Sequence, residues 1–136
     1  MARTAFDEAG GMPGLLAMTT RFFASAREDD ILGPVFAHAA PEHAEHLAGW
    51  LAVVFGGPRD YLAERGDLRF VIRAHKAMKV TEDQRARWVS LMLASGRHAG
   101  LSPAFLQAMA RFSEGISHSV RENSWVDPAV LEAALA

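Results

Sequence analysis

Six histidines, eight phenylalanines, three tryptophans and six methionines are the residues from which this 136-residue chain could build a chemical site, and it has no cysteine. The missing thiol excludes disulfides, iron–sulfur clusters and cysteine nucleophiles. The chain carries no phosphate-cradling glycine loop, no dinucleotide fingerprint and no GxSxG elbow. His43 and His46 stand three residues apart beside Glu42 and Glu45. A zinc centre needs about four convergent ligands, and on a helix Glu45 points away from His43, so a metal hydrolase is disfavoured.

The remaining chemistry depends on where each histidine falls. His118 lies on a polar helix face, and His98 ends a helix beside Gly100, where it can act as a cap or cation. His38 belongs to a polar turn, and His46 flanks an apolar face at its rim. His43 lies in line with an apolar stripe, and His75 lies among Phe70, Val71, Ala74 and Met78. Taken singly, each of these two reads more readily as a satisfied core histidine than as a ligand. Taken together, two inward histidines on separate helices, 32 residues apart in a chain rich in Phe, Trp and Met, suit a flat apolar cofactor with one polar axial bond. Haem has that character: a neutral imidazole on one side of the iron and an apolar slot around the macrocycle. Periodicity by itself leaves the core-histidine reading standing beside this one.

The elements that must position these residues are helical. A helix is expected from about Pro13 to Arg27, with Leu15, Thr19, Phe22 and Ala26 on one face and Leu16 and Phe23 beside it. Asp29 and Asp30 cap a turn ending at Leu32, Gly33 and Pro34. The clearest helix spans Pro41 to Phe55, opened by proline and stopped by Gly56, Gly57 and Pro58. Its His43, Leu47, Trp50 and Val54 follow the 3.6-residue period, with Glu42, Glu45 and Gly49 opposite. Residues 59–67 read as irregular or weakly helical, and a short helix from Leu68 to Val80 holds His75. Thr81 and Gln84 form a capping-box signature for a helix to about His98, with Trp88, Leu91, Met92 and Ser95 inward. Ser102 and Pro103 start another, whose Phe105, Met109, Phe112, Ile116 and Val120 are apolar and whose Gln107, Arg111, Glu114 and His118 face water. A last short helix follows Asp127 and Pro128. No strand is expected, and the uneven helix lengths argue against a regular four-helix bundle.

Length and composition agree with one all-helical domain over 1–136, with a short N-terminal segment, 1–12, and a tail helix, 126–136. Half the residues are apolar, 22% are charged and the net charge is −2. Basic residues are scattered, so neither nucleic acid nor an anionic membrane surface is an expected partner. No apolar run approaches a membrane span, the first residues lack the apolar stretch of a secretory signal, and a cytoplasmic location is expected. The recognisable surface faces carry no large apolar stripe, so a monomer or weak homodimer is expected.

Three runs resemble the truncated haemoglobins, and more specifically their second group: Phe55-Gly-Gly-Pro-Arg-Asp-Tyr61, Arg73-Ala-His75 and Thr81-Glu-Asp-Gln-Arg-Ala-Arg-Trp88. The resemblance continues upstream through Arg21-Phe22-Phe23 and Leu32-Gly-Pro-Val-Phe36-Ala to Pro41-Glu-His43, and covers roughly residues 6–124. It implies a shortened globin fold, a two-over-two helical sandwich around haem b (iron protoporphyrin IX). By position it implies that His75 is the proximal metal ligand and that Phe36 stacks on the haem face. His43, Leu47 and Trp50 fall on the distal helix, and Trp88 turns its indole N–H towards the bound ligand. Tyr61, Phe70, Met78, Val80 and Met92 would line the edges and proximal side, and Arg73 or Lys76 would pair with a propionate. Many members carry a basic residue just before the proximal histidine, where this chain has Ala74.

One departure matters. The family usually has tyrosine where this chain has Phe23, so His43 and Trp88 are left as the distal ligand-stabilising donors. His43 has three open roles: hydrogen-bonding a ligand, coordinating the iron, or swinging out as a gate. The resemblance implies reversible binding of oxygen and other small diatomic ligands such as carbon monoxide and nitric oxide. The alternative is a haem enzyme, a nitric oxide dioxygenase or a peroxidase, which would need an electron donor such as a reductase. A strongly basic proximal ligand held by a carboxylate favours peroxidase work, and Glu82 and Asp83 are the nearest acids after His75. A sensor, an electron carrier with two histidines on the iron, and a helical interaction module without haem also stay open.

Overall fold

The computed structural model describes residues 3–60 and 68–136. Among them are eight helices and no strand: α1 (Ala5–Glu8), α2 (Gly11–Glu28), α3 (Gly33–Phe36), α4 (His43–Val54), α5 (Leu68–Ala74), α6 (Glu82–His98), α7 (Pro103–Ser124) and α8 (Pro128–Leu135). α2 packs on both α4 and α6, α6 pairs with α7, α1 lies against α7 and α2, and α5 reaches α7. No helix among the described residues is long and apolar enough to cross a membrane.

Local chemistry sets most boundaries. At α6 the Thr81 hydroxyl accepts from the Gln84 N–H while the Gln84 side chain accepts from the Thr81 N–H, so two donors left over by the helix start are satisfied. Ser102 caps α7 and also donates to the Glu8 carbonyl at 2.9 Å, which fastens α1 to that corner. Asp127 caps α8, with Pro128 at its first position. α4 ends at Val54 and is followed by Gly56, whose φ of 90° suits glycine, and the Gly57 N–H reaches back to the Ala52 carbonyl at 2.6 Å. A β-carbon on Gly57 would come within 2.5 Å of the Phe6 ring, so the glycine pair lets α1 lie close.

The expected face of α2 is the core: Leu15, Met18, Thr19, Phe22 and Ala26 are buried. Burying a side chain the size of Leu15 or Phe22 contributes roughly 1.5–3 kcal/mol. α4 differs from its periodicity. It starts at His43, two residues after Pro41, which sits in a turn. Its buried residues are Ala44, Ala48, Trp50, Leu51 and Ala52, because α2 approaches closely enough for the Thr19 hydroxyl to donate to the Ala44 carbonyl at 2.9 Å. Alanine permits that approach, and His43 and Leu47 are left beside it, facing elsewhere. α5 is also shorter than its apolar pattern. It stops at Ala74, so His75 follows the helix in a turn.

Gly14 lies inside α2, where propensity alone would make alanine stabilising by about 1 kcal/mol. A β-carbon there would collide with the Ala9 carbonyl. Gly14→Ala is expected to destabilise by about 1–3 kcal/mol, read as a lowered urea midpoint at unchanged slope; a raised midpoint would show that α1 yields freely.

Candidate functional site

A cavity of about 530 Å³ opens between α2, α3, α4, the α5 segment, α6 and α7. Phe23 comes from α2; Leu32, Val35, Phe36, His38 and Ala39 come from α3 and its flanks; His43, His46, Leu47 and Trp50 come from α4. Phe70, Val71 and Ala74 come from α5, and His75, Met78 and Val80 from the segment after it. Gln84, Arg85 and Trp88 on α6 and Ile116, Ser117 and Val120 on α7 complete the lining. The size is that of an ordinary small-molecule site.

His75 Nδ1 stands 2.8 Å from the Val71 carbonyl oxygen. A carbonyl only accepts, so Nδ1 carries the proton, and in the neutral ring the lone pair is on Nε2. A backbone partner of this kind fixes the tautomer and ring orientation of a metal-binding histidine. Phe22, Phe23 and Phe36 form an edge-to-face cluster with centroids 5.4–5.6 Å apart, and Trp88 meets Phe22 at 6.0 Å. Such contacts each add about 0.5–1.5 kcal/mol beyond area burial. The Phe23 ring lies 6.1 Å from His43, and the rings of His43 and His46 lie 6.5 Å apart. Trp50 leans edge-on against Phe112 at 5.4 Å.

Nine of the residues expected around a cofactor are brought to this cavity: Phe36, His43, Leu47, Trp50, Phe70, His75, Met78, Val80 and Trp88, together with Phe23. Met92 does not line the cavity, because it is fully buried in the hydrophobic core cluster. Arg73 also lies off the wall: its Nε donates to Glu132 on α8 at 3.0 Å, and Lys76 pairs with the same carboxylate at 3.4 Å. Tyr61 lies outside the described residues. His43 is more exposed than its apolar stripe predicts, since it opens α4 rather than sitting within it, and His46 is the more buried of the two.

Arg85 lies outside the expected set. It is 7% exposed and lines the cavity. Its Nε reaches both Glu82 carboxylate oxygens at 2.8 and 3.0 Å, and Nη1 donates to Glu114 at 3.3 Å and Ser117 at 3.1 Å. The hydrogen bond from Arg85 holds the Glu82 carboxyl below its ordinary value, and Glu82 in turn holds the guanidinium above its own. Only the Glu82–Arg85 spacing within α6 hints at this pair, because the other partners come from α7.

The bacterial-like globin family matches residues 4–118. Solved structures with a similar fold include the haemoglobin of the thermophilic phototrophic bacterium Chloroflexus aurantiacus, with TM-score 0.76 and 24% identity over 88% of this chain and 98% of that one. The group II truncated haemoglobin of Bacillus anthracis has TM-score 0.76 and 20% identity over 94% and 95%. A variant of the truncated haemoglobin of Tetrahymena pyriformis has TM-score 0.73 and 19% identity over 92% and 100%. The all-helical truncated-globin fold implied by the resemblance agrees with these matches.

Glu82 has a folded pKa below its unfolded value near 4.5. Its contribution to stability is therefore complete above that value and is lost as pH falls through the lower folded pKa. Arg85→Met is expected to flatten the acid side of the stability curve below about pH 4.5, measured by urea denaturation at stepped pH; an unchanged acid limb would show that the pair contributes nothing.

Proposed function

This chain belongs to the bacterial-like globin family, and from that premise we propose that it is a group 2 truncated globin that holds haem b through His75 and reversibly binds oxygen and other small diatomic molecules. Membership of a globin family implies haem and haem-based ligand binding. The observation that carries the finer reading is the Nδ1 bond of His75 to the Val71 carbonyl on the wall of an apolar cavity.

The residues present fit a flat apolar macrocycle. Three large apolar side chains of the cavity wall, Val35, Phe70 and Met78, are 38%, 41% and 45% exposed. A planar apolar group against them would remove that surface from water. Haem, when bound, would supply an iron that takes up a diatomic molecule. His75 would hold it through the lone pair on Nε2. Phe36, Leu47 and Trp50 exclude water from the slot. Trp88 supports the second-group reading: its indole N–H has no hydrogen-bond partner among the described residues, so it is free to donate to a polar ligand in the cavity. His43 supplies a second N–H from the mouth, and Phe23 supplies none.

Ligand binding stands ahead of peroxidase chemistry because the partner of His75 is a carbonyl rather than a carboxylate. A carboxylate partner would make the ring more basic, and Glu82 is engaged by Arg85 and Arg121 instead. Nitric oxide dioxygenation uses the same histidine and would require a reductase. A cytoplasmic monomer or weak dimer completes the reading.

Reconstituted protein is expected to give a five-coordinate ferrous absorption spectrum that shifts with carbon monoxide and is lost or remodelled in His75→Ala; a spectrum indifferent to that substitution would overturn the ligand assignment. A bis-histidine spectrum removed by His43→Ala would move the function to electron transfer or gated binding. Phe23→Tyr restores a hydroxyl donor worth about 1–3 kcal/mol to a charged acceptor. Oxygen should then dissociate about tenfold more slowly by stopped flow, and an equal off-rate would show that this position does not reach the ligand.

A further inference from the structure

The backbone that follows His75 has an uncommon shape. Ala77 and Lys79 both have positive φ, 63° and 52°. Residues other than glycine hold that conformation only where their surroundings over-determine it. Here the surroundings come from the C-terminal end of the chain. The Lys79 N–H donates to the Ser124 carbonyl at 3.2 Å, and the Val80 N–H donates to the Ser124 hydroxyl at 2.9 Å. The Trp125 indole N–H donates to the Val80 carbonyl at 2.7 Å, and the Lys79 ammonium stands 5.8 Å from the Trp125 ring centroid. To either side of His75, Arg73 and Lys76 share the Glu132 carboxylate.

These anchors are themselves fixed. Ser124 is buried, and its hydroxyl also donates to the Arg121 carbonyl at 2.6 Å. Trp125 is 54% exposed, so burial gives little reason for its position, whereas its bond to Val80 gives one. Leu131 is buried and docks α8, which sets the neighbouring Glu132 beside Arg73 and Lys76. All three anchors lie beyond residue 118, where the match to the family model ends.

We propose that Ser124, Trp125 and Glu132 are positioning residues for His75: they hold the 76–80 turn in its left-handed shape and so fix how the imidazole is presented to the cavity. The proposal rests on the reading of His75 as the haem ligand, but the strap is a property of the polypeptide and can be read without haem. Ser124 and Trp125 supply most of the hold, since the Glu132 pairs are exposed and such pairs contribute little.

The test compares the full-length protein with Trp125→Phe, Ser124→Ala and Trp125→Phe/Glu132→Gln. Trp125→Phe keeps an aromatic ring and removes only the indole donor, and far-ultraviolet circular dichroism checks that each variant keeps its helices. Amide hydrogen exchange at Lys79 and Val80, in haem-loaded and haem-free protein, should quicken by about tenfold in the single variants and further in the double variant. Resonance Raman of the ferrous haem-loaded protein should show the iron–histidine stretch shifted or broadened in the same order. Unchanged exchange at Lys79 and Val80 overturns the strap. Faster exchange with an unchanged iron–histidine band overturns the positioning role. A wild-type protein that lacks an iron–histidine band overturns the proposed function instead, and the exchange rates still decide the strap.

Discussion

The bond from His75 to Val71 depends on α5 ending where it does. The main-chain N–H of His75 bonds to the Ile72 carbonyl at 3.1 Å, three residues back rather than four. That shift leaves the Val71 carbonyl among the unsatisfied acceptors of a helix end, and the His75 ring takes it at 2.8 Å. A helix continuing to Val80 would have tied the same carbonyl to the main chain at position 75. The imidazole would then have had to share its orienting partner, since the carbonyl oxygen has two lone pairs. Helix termination is thus part of the site's chemistry, and the left-handed residues that follow are the cost of stopping there.

Much of this architecture was legible in the sequence because it is local. The Thr81–Gln84 box, the Ser102 cap, the Asp127–Pro128 start and the Gly56–Gly57 stop each depend on residues within a turn of one another. The α2 face was legible because every fourth or third residue from Leu15 to Ala26 is apolar or small. What escaped depends on distant partners. The buried side of α4 follows from how closely α2 approaches, which alanines permit but do not announce. Arg85 is buried because Glu114 and Ser117 come from α7, 29 and 32 residues away. The positive φ values of Ala77 and Lys79 carry no glycine to mark them. Arg73 has its carboxylate on α8, a partner that spacing could not reveal.

The aromatic cluster explains how this wall of the cavity can change polarity without a change of fold. Phe22 is fully buried and meets Phe23, Phe36 and Trp88 edge to face. Those contacts use ring edges and faces, which a phenylalanine and a tyrosine share. Phe23 is only partly buried and faces the cavity, so a hydroxyl on its ring would alter the polarity of the cavity while leaving the packing behind it intact. Donor strength at this wall is therefore separable from stability, and the remaining N–H groups of Trp88 and His43 differ in kind. The tryptophan donor is held by the core, whereas the histidine opens α4 at the exposed mouth.

The charge inside the cavity bears on what it can accept. Arg85 brings a cation to the wall, but Glu82 meets its Nε through both carboxylate oxygens and Glu114 takes Nη1. Paired so closely, the guanidinium presents little net charge to the space in front of it, because a carboxylate at hydrogen-bond distance cancels its field beyond a few ångströms. An anionic substrate entering the cavity would lose water without gaining a free cation. An uncharged diatomic ligand loses little water on entry and needs only a dipolar donor at the end of its path. A neutralised wall with indole and imidazole donors therefore favours small neutral ligands over charged ones.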